Sequence, residues 1–308
     1  MPNSRKRKAI ILVGMNTRLS IEKYFRYAGE LIIYGSIFIS LCAVSMSMET
    51  NWLLHLPLNH FFFYLFIFSA TLFQYNMHYY VKTTANVHSA RFAWSLVHKR
   101  IHLLFIVLGV AGMLISLKFL TLKHYLALLC IGIISAMYSL PVLPFRKRKR
   151  IKDFGLLKII TLSLVWTLVT VWFPVIHLHD IDKAFWLVFF RRMIFLFVLC
   201  LAFDIRDVPV DARDGIRTLP VSIGVKNAYL LIDLLLILFV ALSVWNMFEM
   251  PEPLPLAAMI ISALATYWVI DYARKHRHDM VYLLGVDGMM ILQALLVALS
   301  IWFTQISG

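Results

Sequence analysis

Nine apolar segments, each long enough to cross a membrane, dominate this 308-residue sequence. A membrane-spanning helix needs roughly 17 to 25 mostly apolar residues, and it satisfies its backbone hydrogen bonds internally. The composition agrees, because 61% apolar and 15% charged residues exclude an ordinary soluble domain. We therefore predict an all-α integral membrane protein with nine transmembrane helices in one bundle. The predicted spans cover approximately residues 28–47, 58–81, 101–117, 124–141, 159–177, 184–203, 228–248, 254–270 and 280–303.

The basic residues of the chain fall almost entirely on one side of this predicted bundle. Of the 30 Lys and Arg residues, 25 lie in the N-terminal segment or in the loops after the even-numbered spans. By the positive-inside rule, these parts are cytoplasmic. We thus predict a basic cytoplasmic segment at 1–27, a single transmembrane domain at 28–308, and a location in the bacterial plasma membrane. The net charge of +14 is then explained by the basic residues of the cytoplasmic segments. We therefore expect the lipid bilayer rather than a nucleic acid as partner.

Four aspartates lie close together after the sixth predicted span. They are Asp204, Asp207, Asp211 and Asp214, and at 100° per residue they share one helical face. The same geometry puts Arg206, Arg213 and Arg217 on the opposite face. We expect Pro209 to bend or break this helix, and Gly215 and Pro220 to end it.

Two interpretations of these aspartates remain open. Carboxylates in phase repel one another unless they share a cation, and Mg²⁺ is a hard ion that prefers oxygen ligands. The alternative is a solvated acidic loop whose charge the nearby arginines balance. The basic run Arg146–Arg150 is similarly open, because it fits either a topology determinant on anionic lipid or a site for an anionic head group.

The stretch Asp204–Gly224, DIRDVPVDARDGIRTLPVSIG, resembles the second aspartate-rich motif of the UbiA superfamily of intramembrane prenyltransferases. The residues Met137–Pro141 are similar to the YS-x-P turn of that family. The resemblance implies nine helices around a central cavity, with Mg²⁺ bridging two aspartate motifs to an allylic prenyl diphosphate. It also implies an enzyme that transfers the prenyl group to a lipophilic cyclic or aromatic acceptor.

The first aspartate motif of the family, N-x-x-x-D-x-x-x-D, is incomplete in this chain. Asn76 fits the pattern, but Tyr80 and Thr84 stand at the aspartate positions, and no carboxylate lies between Glu49 and Asp153. One consequence is a single metal site that Asn76 and His78 complete. The other is a catalytically silent relative that binds an isoprenoid lipid or a partner protein.

The resemblance assigns roles to residues of both motifs and of the basic loops. We expect Asp207, Asp211 and Asn76 to be catalytic. The expected metal ligands are Asp204, Asp207, Asp211 and Asp214, and the expected substrate-binding residues are Arg217, Lys82, Lys152, Arg146 and Tyr138.

Three charged residues lie at least seven positions inside predicted spans. A charge at membrane depth is costly and usually faces the interior of a bundle, so Asp287 either lines the cavity or pairs with another buried polar group. Arg191 and Arg192 have long side chains, and we expect them to extend to the outer interface.

Overall fold

The computed structural model describes residues 23, 26–81, 89–139, 155–177, 182–213, 215–249 and 251–307, without the side chains at 138, 139, 249 and 307. The described residues form helices and connecting turns and contain no strand. The helices are α1 (Arg26–Tyr34), α2 (Ile37–Leu53), α3 (Phe61–Val81), α4 (Ala90–Val97), α5 (Lys99–Leu117), α6 (Leu122–Ser139), α7 (Gly155–Val175), α8 (Lys183–Arg213), α9 (Leu219–Ile223), α10 (Val225–Glu249), α11 (Pro253–Lys275) and α12 (Val281–Ile306).

Six of these helices, α5, α7, α8, α10, α11 and α12, are long and apolar enough to cross a membrane. The bent pair of α1 and α2 makes a seventh candidate span. Large apolar side chains such as Leu114, Phe248 and Trp268 are exposed on these helices, as hydrocarbon contact requires. The two other predicted spans correspond to α3, which becomes polar towards its end, and to the apolar part of α6, Leu122–Met137, which is shorter.

The first predicted span is broken in the middle rather than continuous. The axes of α1 and α2 differ by 57°, and Ser36 at the break has a positive φ of 68°. The amide of Asn76 on α3 donates a 3.0 Å hydrogen bond to the carbonyl of Gly35. A backbone group that a helix break leaves without its helical partner is thus satisfied by a neighbouring helix, as the interior of a membrane requires.

The long helix α8 is central to the main hydrophobic core. Its residues Phe195, Val198 and Leu201 are fully buried, and it packs against α7 and α10. On other faces of the bundle, α12 packs against α2 and α11, and α3 packs against α5. This arrangement places the acidic end of α8 beside the beginning of α7.

The expectation that Arg191 and Arg192 extend to the outer interface is wrong. Both side chains are buried, because Glu49 on α2 provides a counter-charge inside the bundle. The Arg192 guanidinium also donates to the carbonyl of Met46 at 2.7 Å, and Gln293 on α12 donates to Glu49 at 3.1 Å. Periodicity does not reveal this pair, since its members lie on different helices.

Candidate functional site

A cavity of about 240 Å³ lies between α3, α7, α8 and α12. Helix α8 contributes Leu196, Leu199, Cys200, Phe203, Asp204, Arg206 and Asp207 to its wall, in that order along the chain. The wall therefore changes from apolar to charged along a single helix. A cavity of this kind suits a ligand with an apolar body and an ionic end.

Helix α8 continues through the acidic motif. Pro209 lies inside the helix and does not end it, so a break at this position is excluded. The helix stops at Arg213, and Gly215 follows with a φ of 70°, which agrees with the predicted stop signal. Asp204, Asp207 and Asp211 consequently lie on consecutive turns of one helix, while Asp214 lies outside the described residues.

Basic side chains neutralise two of these aspartates. Lys158 on α7 places its Nζ 2.7 Å from Oδ1 of Asp204. Arg206 donates from Nε to Oδ1 of Asp207 at 2.7 Å and from Nη2 to Oδ2 at 3.1 Å. The cavity thus contains ion pairs that are already formed.

Two buried carboxylate oxygens of the acidic motif have no hydrogen-bond partner among the described residues. They are Oδ2 of Asp204, which lines the cavity, and Oδ2 of Asp211, which lies one turn beyond Asp207 and does not line it. Leaving a buried acceptor unpaired is costly, so these oxygens are suited to receive a ligand. Within the described part of the chain, no three Asp, Glu, His or Cys side chains converge as a ready-made metal cluster. The donor set therefore fits a cation held by one or two carboxylates, which is usual for Mg²⁺.

The prediction that Arg206 faces away from the aspartates is wrong. Its guanidinium lines the cavity, lies 5.0 Å from the ring centroid of Phe203, and approaches Asp279 at 3.6 Å. Arg206 is only 100° around the helix from Asp207, and its long side chain bends back across that angle. The helical wheel gives the position of the α-carbon and not the reach of the side chain.

Helix α3 presents aromatic residues to the cavity. Tyr75 and Tyr79, one turn apart, line it, whereas Asn76 and Tyr80 do not. The Asn76 amide donates to the carbonyls of Gly35 and Leu72, and its oxygen lies 2.6 Å from Nδ1 of His102. The Asn76 side chain is committed to joining helices, so we do not assign it to the metal site.

Arg91 on α4 is a cavity residue that the sequence did not single out. It is 5% exposed, its Cζ lies 4.2 Å from the ring centroid of Tyr79, and its Nη2 donates to Oγ of Ser36 at 2.9 Å. Asp279 accepts hydrogen bonds from Oγ of Ser89 at 2.7 Å and from the backbone N–H of Arg91 at 3.1 Å, which anchors the start of α4. The sequence signals were weak, since Arg91 and Lys158 contributed only to a count of cytoplasmic charge.

The remaining predicted site residues are not at the cavity or lie outside the described residues. Arg217 is exposed and does not line the cavity. His78 is exposed and is also absent from the cavity wall. Lys82, Arg146, Lys152 and the side chain of Tyr138 fall outside the described part of the chain. Asp287, in contrast, lines the cavity, and its carboxylate makes no hydrogen bond or ion pair with the described residues.

A second cavity, about 180 Å³ in volume, lies between α3, α6 and α7. Its lining is mostly apolar and includes Phe66, Val169 and Phe173. Tyr75 and Trp166 line both cavities, and their ring centroids are 6.4 Å apart in an edge-to-face arrangement. These two rings form the wall between the charged cavity and the apolar one.

The fold and the site define a helical membrane protein whose bundle encloses a cavity for an amphipathic ligand. The chain belongs to the UbiA prenyltransferase family, whose model matches residues 95–283, more than half of the sequence. It is therefore a multi-pass integral membrane protein. The match includes the second aspartate motif and begins after the positions of the incomplete first motif.

Several solved structures share the fold of this chain. A UbiA homolog from Archaeoglobus fulgidus is 17% identical with a TM-score of 0.61, and the similarity covers 91% of this chain and all of that one. The same homolog bound to GPP and Mg²⁺ gives 15% identity and a TM-score of 0.56, over 89% and 99% of the two chains. A digeranylgeranylglyceryl phosphate synthase gives 12% identity and 0.55, over 89% and 98%. No protein with a curated function is detectably similar in sequence.

Proposed function

We propose that this protein is a membrane prenyltransferase that moves a prenyl group from an allylic diphosphate to a lipophilic cyclic or aromatic acceptor. The observation that carries the proposal is the order of residues along α8, from apolar Leu196 and Leu199 to charged Asp204 and Asp207 within one cavity. A prenyl diphosphate has the same order, with an apolar chain joined to an anionic head. Family membership and the GPP-bound relative from A. fulgidus support this substrate class.

The residues at the charged end are suited to bind a diphosphate. Lys158, Arg206 and Arg91 each bring a cationic group to the cavity wall, where low dielectric strengthens hydrogen bonds to phosphate oxygens. A Mg²⁺ ion held by Asp207 and Asp211 would neutralise the charge that grows on the diphosphate as it leaves. Asp204 and Asp214 are the further candidates for that metal site.

The apolar part of the cavity is suited to the other half of the reaction. The allylic C–O bond breaks with its electron pair going to the diphosphate, which leaves positive charge on the prenyl carbon. The rings of Tyr75, Trp166 and Phe203 lie at the wall, and aromatic faces attract cations while excluding water. The acceptor then forms a bond to that carbon and loses a proton.

The topology that we propose places this reaction at the cytoplasmic face of a bacterial plasma membrane. It combines nine spans and a cytoplasmic N-terminus with the positive-inside distribution of 25 of the 30 basic residues. The charged end of the cavity, beside the acidic end of α8, then opens towards cytoplasmic prenyl diphosphates. Lys82, Arg146, Lys152, Arg217 and Tyr138 remain candidates for contacts with the substrate at this mouth.

The experiment that tests the proposal measures diphosphate release by the purified protein. Allylic prenyl diphosphates of several lengths are supplied with and without Mg²⁺, together with a panel of lipophilic phenols and quinols. We expect release that depends on the allylic double bond, so the saturated analogues of the same chain length serve as matched controls. Absence of release from every allylic substrate would contradict the proposed activity.

A second candidate function is a catalytically silent relative that binds an isoprenoid lipid. One observation favours it, because the cavity residues on α3 are Tyr75 and Tyr79 and carry no carboxylate for a second metal site. Such a protein binds prenyl diphosphates or prenyl lipids without releasing diphosphate. Binding measured beside the release assay separates the two functions.

A further inference from the structure

The beginning of α7 is held closely against the segment that follows the acidic motif. A β-carbon at Gly155 would collide with the backbone of Arg217 and Thr218, so glycine is what permits this approach. Lys158 follows one turn later, and its side chain reaches Asp204. The Lys158 side chain is 24% exposed and that of Asp204 only 7%, so this pair is part of the cavity wall and not a surface contact.

Lys158 occupies one end of the row of carboxylates on α8. At 1.5 Å per residue, Asp204 and Asp211 are about 10 Å apart along the helix axis, while Asp207 and Asp211 are about 6 Å apart. A Mg²⁺ ion with bonds of about 2.1 Å to its ligands joins carboxylates one turn apart more readily than two turns apart. Lys158 already pairs with one oxygen of Asp204 and Arg206 with both oxygens of Asp207, so little uncompensated negative charge is left in this row for metal ions. The buried oxygens without a partner are Oδ2 of Asp204 and Oδ2 of Asp211.

The wall of the cavity on the α3 side also carries a cation, Arg91 of α4, and its α3 residues provide no carboxylate. Arg91 lies over the ring of Tyr79, and its Nε is buried without a hydrogen-bond partner among the described residues. A guanidinium held in this way binds phosphate oxygens well, because its N–H groups are fixed in a planar fork. The α3 side thus offers hydrogen-bond donors for the diphosphate in place of ligands for a metal.

We propose that Lys158 and Arg91 bind the substrate diphosphate in place of a second metal ion, so that the site takes a single divalent cation. The inference rests on the proposed function and deepens it. It names the side chains that provide the positive charge which a second metal ion, held by a complete first motif, would otherwise bring to the diphosphate. The two side chains supply two positive charges, which is the charge of one Mg²⁺. They bind the phosphate oxygens directly through N–H donors, and no metal-ligating carboxylate on α3 is needed.

The first test measures binding of inorganic diphosphate to the purified full-length protein in EDTA, by isothermal titration calorimetry. We expect the unmodified protein to bind without metal, and Lys158→Met to weaken that affinity about tenfold through loss of a charge-assisted hydrogen bond. The matched control is Lys275→Met, which removes an exposed lysine that also pairs with an aspartate, Asp271 at 2.9 Å. Lys158→Arg should restore most of the affinity.

The opposite results would overturn the proposal. If Lys158 is only a counter-ion for Asp204, the unmodified protein will not bind diphosphate in EDTA, or Lys158→Met will bind it as well as the unmodified protein does. Thermal unfolding of each variant shows whether the bundle is intact.

The second test uses the unmodified protein and counts bound metal. With saturating inorganic diphosphate, Mn²⁺ titration followed by electron paramagnetic resonance should give one tightly bound ion per chain. Two ions per chain would overturn this proposal while leaving the proposed function in place. No diphosphate binding under any condition, with metal or without, would overturn both.

Discussion

The guanidinium of Arg192 on α8 lies 3.1 Å from the carboxylate of Glu49 on α2, and the structure buries both side chains almost completely. The pair crosses the core between two helices that are far apart in the sequence. Gln293 on α12 donates to the same carboxylate. Three helices are thus joined by one charged group in the apolar part of the bundle.

Breaking this pair should destabilise the bundle more than replacing the whole buried charge cluster, which includes Arg191. Arg192→Met leaves the Glu49 carboxylate with weaker compensation, which we expect to cost about 3 to 5 kcal/mol. The triple variant Glu49→Leu/Arg191→Met/Arg192→Met removes all three buried charges and should recover part of that loss. Thermal unfolding in detergent measures both effects, and a triple variant that unfolds below Arg192→Met would contradict the reasoning.

The carboxylates of α8 should be needed for metal-dependent binding and not for folding. We expect Asp207→Asn and Asp211→Asn each to abolish the increase in diphosphate affinity that Mg²⁺ produces, because an amide is a poor ligand for a hard cation. The unfolding temperature should change little in Asp211→Asn, since Oδ2 of Asp211 has no partner among the described residues, and it should fall more in Asp207→Asn, which gives up the ion pair with Arg206. Asp271→Asn, at an exposed position on α11, is the matched control. Unchanged Mg²⁺ dependence in both variants would favour a solvated acidic cluster.

The face of α3 that meets the substrate can be tested with two neighbouring tyrosines. Tyr79 lines the cavity beneath Arg91, whereas Tyr80 is exposed and outside the cavity wall. Tyr79→Asp places a carboxylate next to the Arg91 guanidinium, so metal-free affinity for inorganic diphosphate should fall about tenfold. Tyr80→Asp, although it restores the family pattern, should change it less than about twofold because exposed charges are screened. An equal loss of diphosphate affinity in the two variants would show that residue 80 of α3 also faces the diphosphate.

The wall of Tyr75 and Trp166 should limit the length of the prenyl chain. Trp166→Ala opens the charged cavity, about 240 Å³, to the apolar cavity of about 180 Å³. We expect kcat/KM for geranylgeranyl diphosphate to rise about tenfold relative to geranyl diphosphate, because each added methylene buried in an apolar pocket contributes binding energy. Trp268→Ala, at an exposed position on α11, should leave the ratio unchanged. If the kcat/KM ratio for the two prenyl diphosphates is unchanged in Trp166→Ala, the prenyl chain binds somewhere other than against this wall.

The nine-span topology makes a direct prediction for reporter fusions. A reporter inserted after Lys152 should lie in the cytoplasm, because the loop that contains it is strongly basic. A reporter fused after Gly308 should lie on the other side of the membrane. If both reporters fall on the same side, the number of spans between them is even and the nine-span topology is wrong.

Much of the helical framework could be predicted from the sequence. Predicted spans at 101–117, 228–248 and 280–303 coincide closely with α5, α10 and α12, because long apolar runs have few alternatives in a bilayer. The break between α1 and α2 was not predictable in this way. The carbonyl of Gly35 at the break accepts a hydrogen bond from Asn76 on another helix, and hydropathy contains no information about contacts between helices.

The candidate site was predictable only in part. The 3.6-residue period places Asp204, Asp207 and Asp211 on one face of α8, and that placement needs no neighbour. The helical repeat does not show that Lys158 from α7 pairs with Asp204, or that the Arg206 side chain bends back to Asp207. The family resemblance implied a role for Asn76 at the metal site, whereas the structure shows its side chain joining helices.

The positions of the apolar helices and the helical turns that carry the acids follow from the sequence, because these depend on local composition and on the geometry of one helix. Which charges meet depends on how the helices pack. Lys158, Arg91 and Asp287 reach the same cavity from three different helices, and Glu49 meets Arg192 across the core. Inside a membrane a charge must find its partner through packing, since no water is present to solvate it, and packing is a property of the whole bundle.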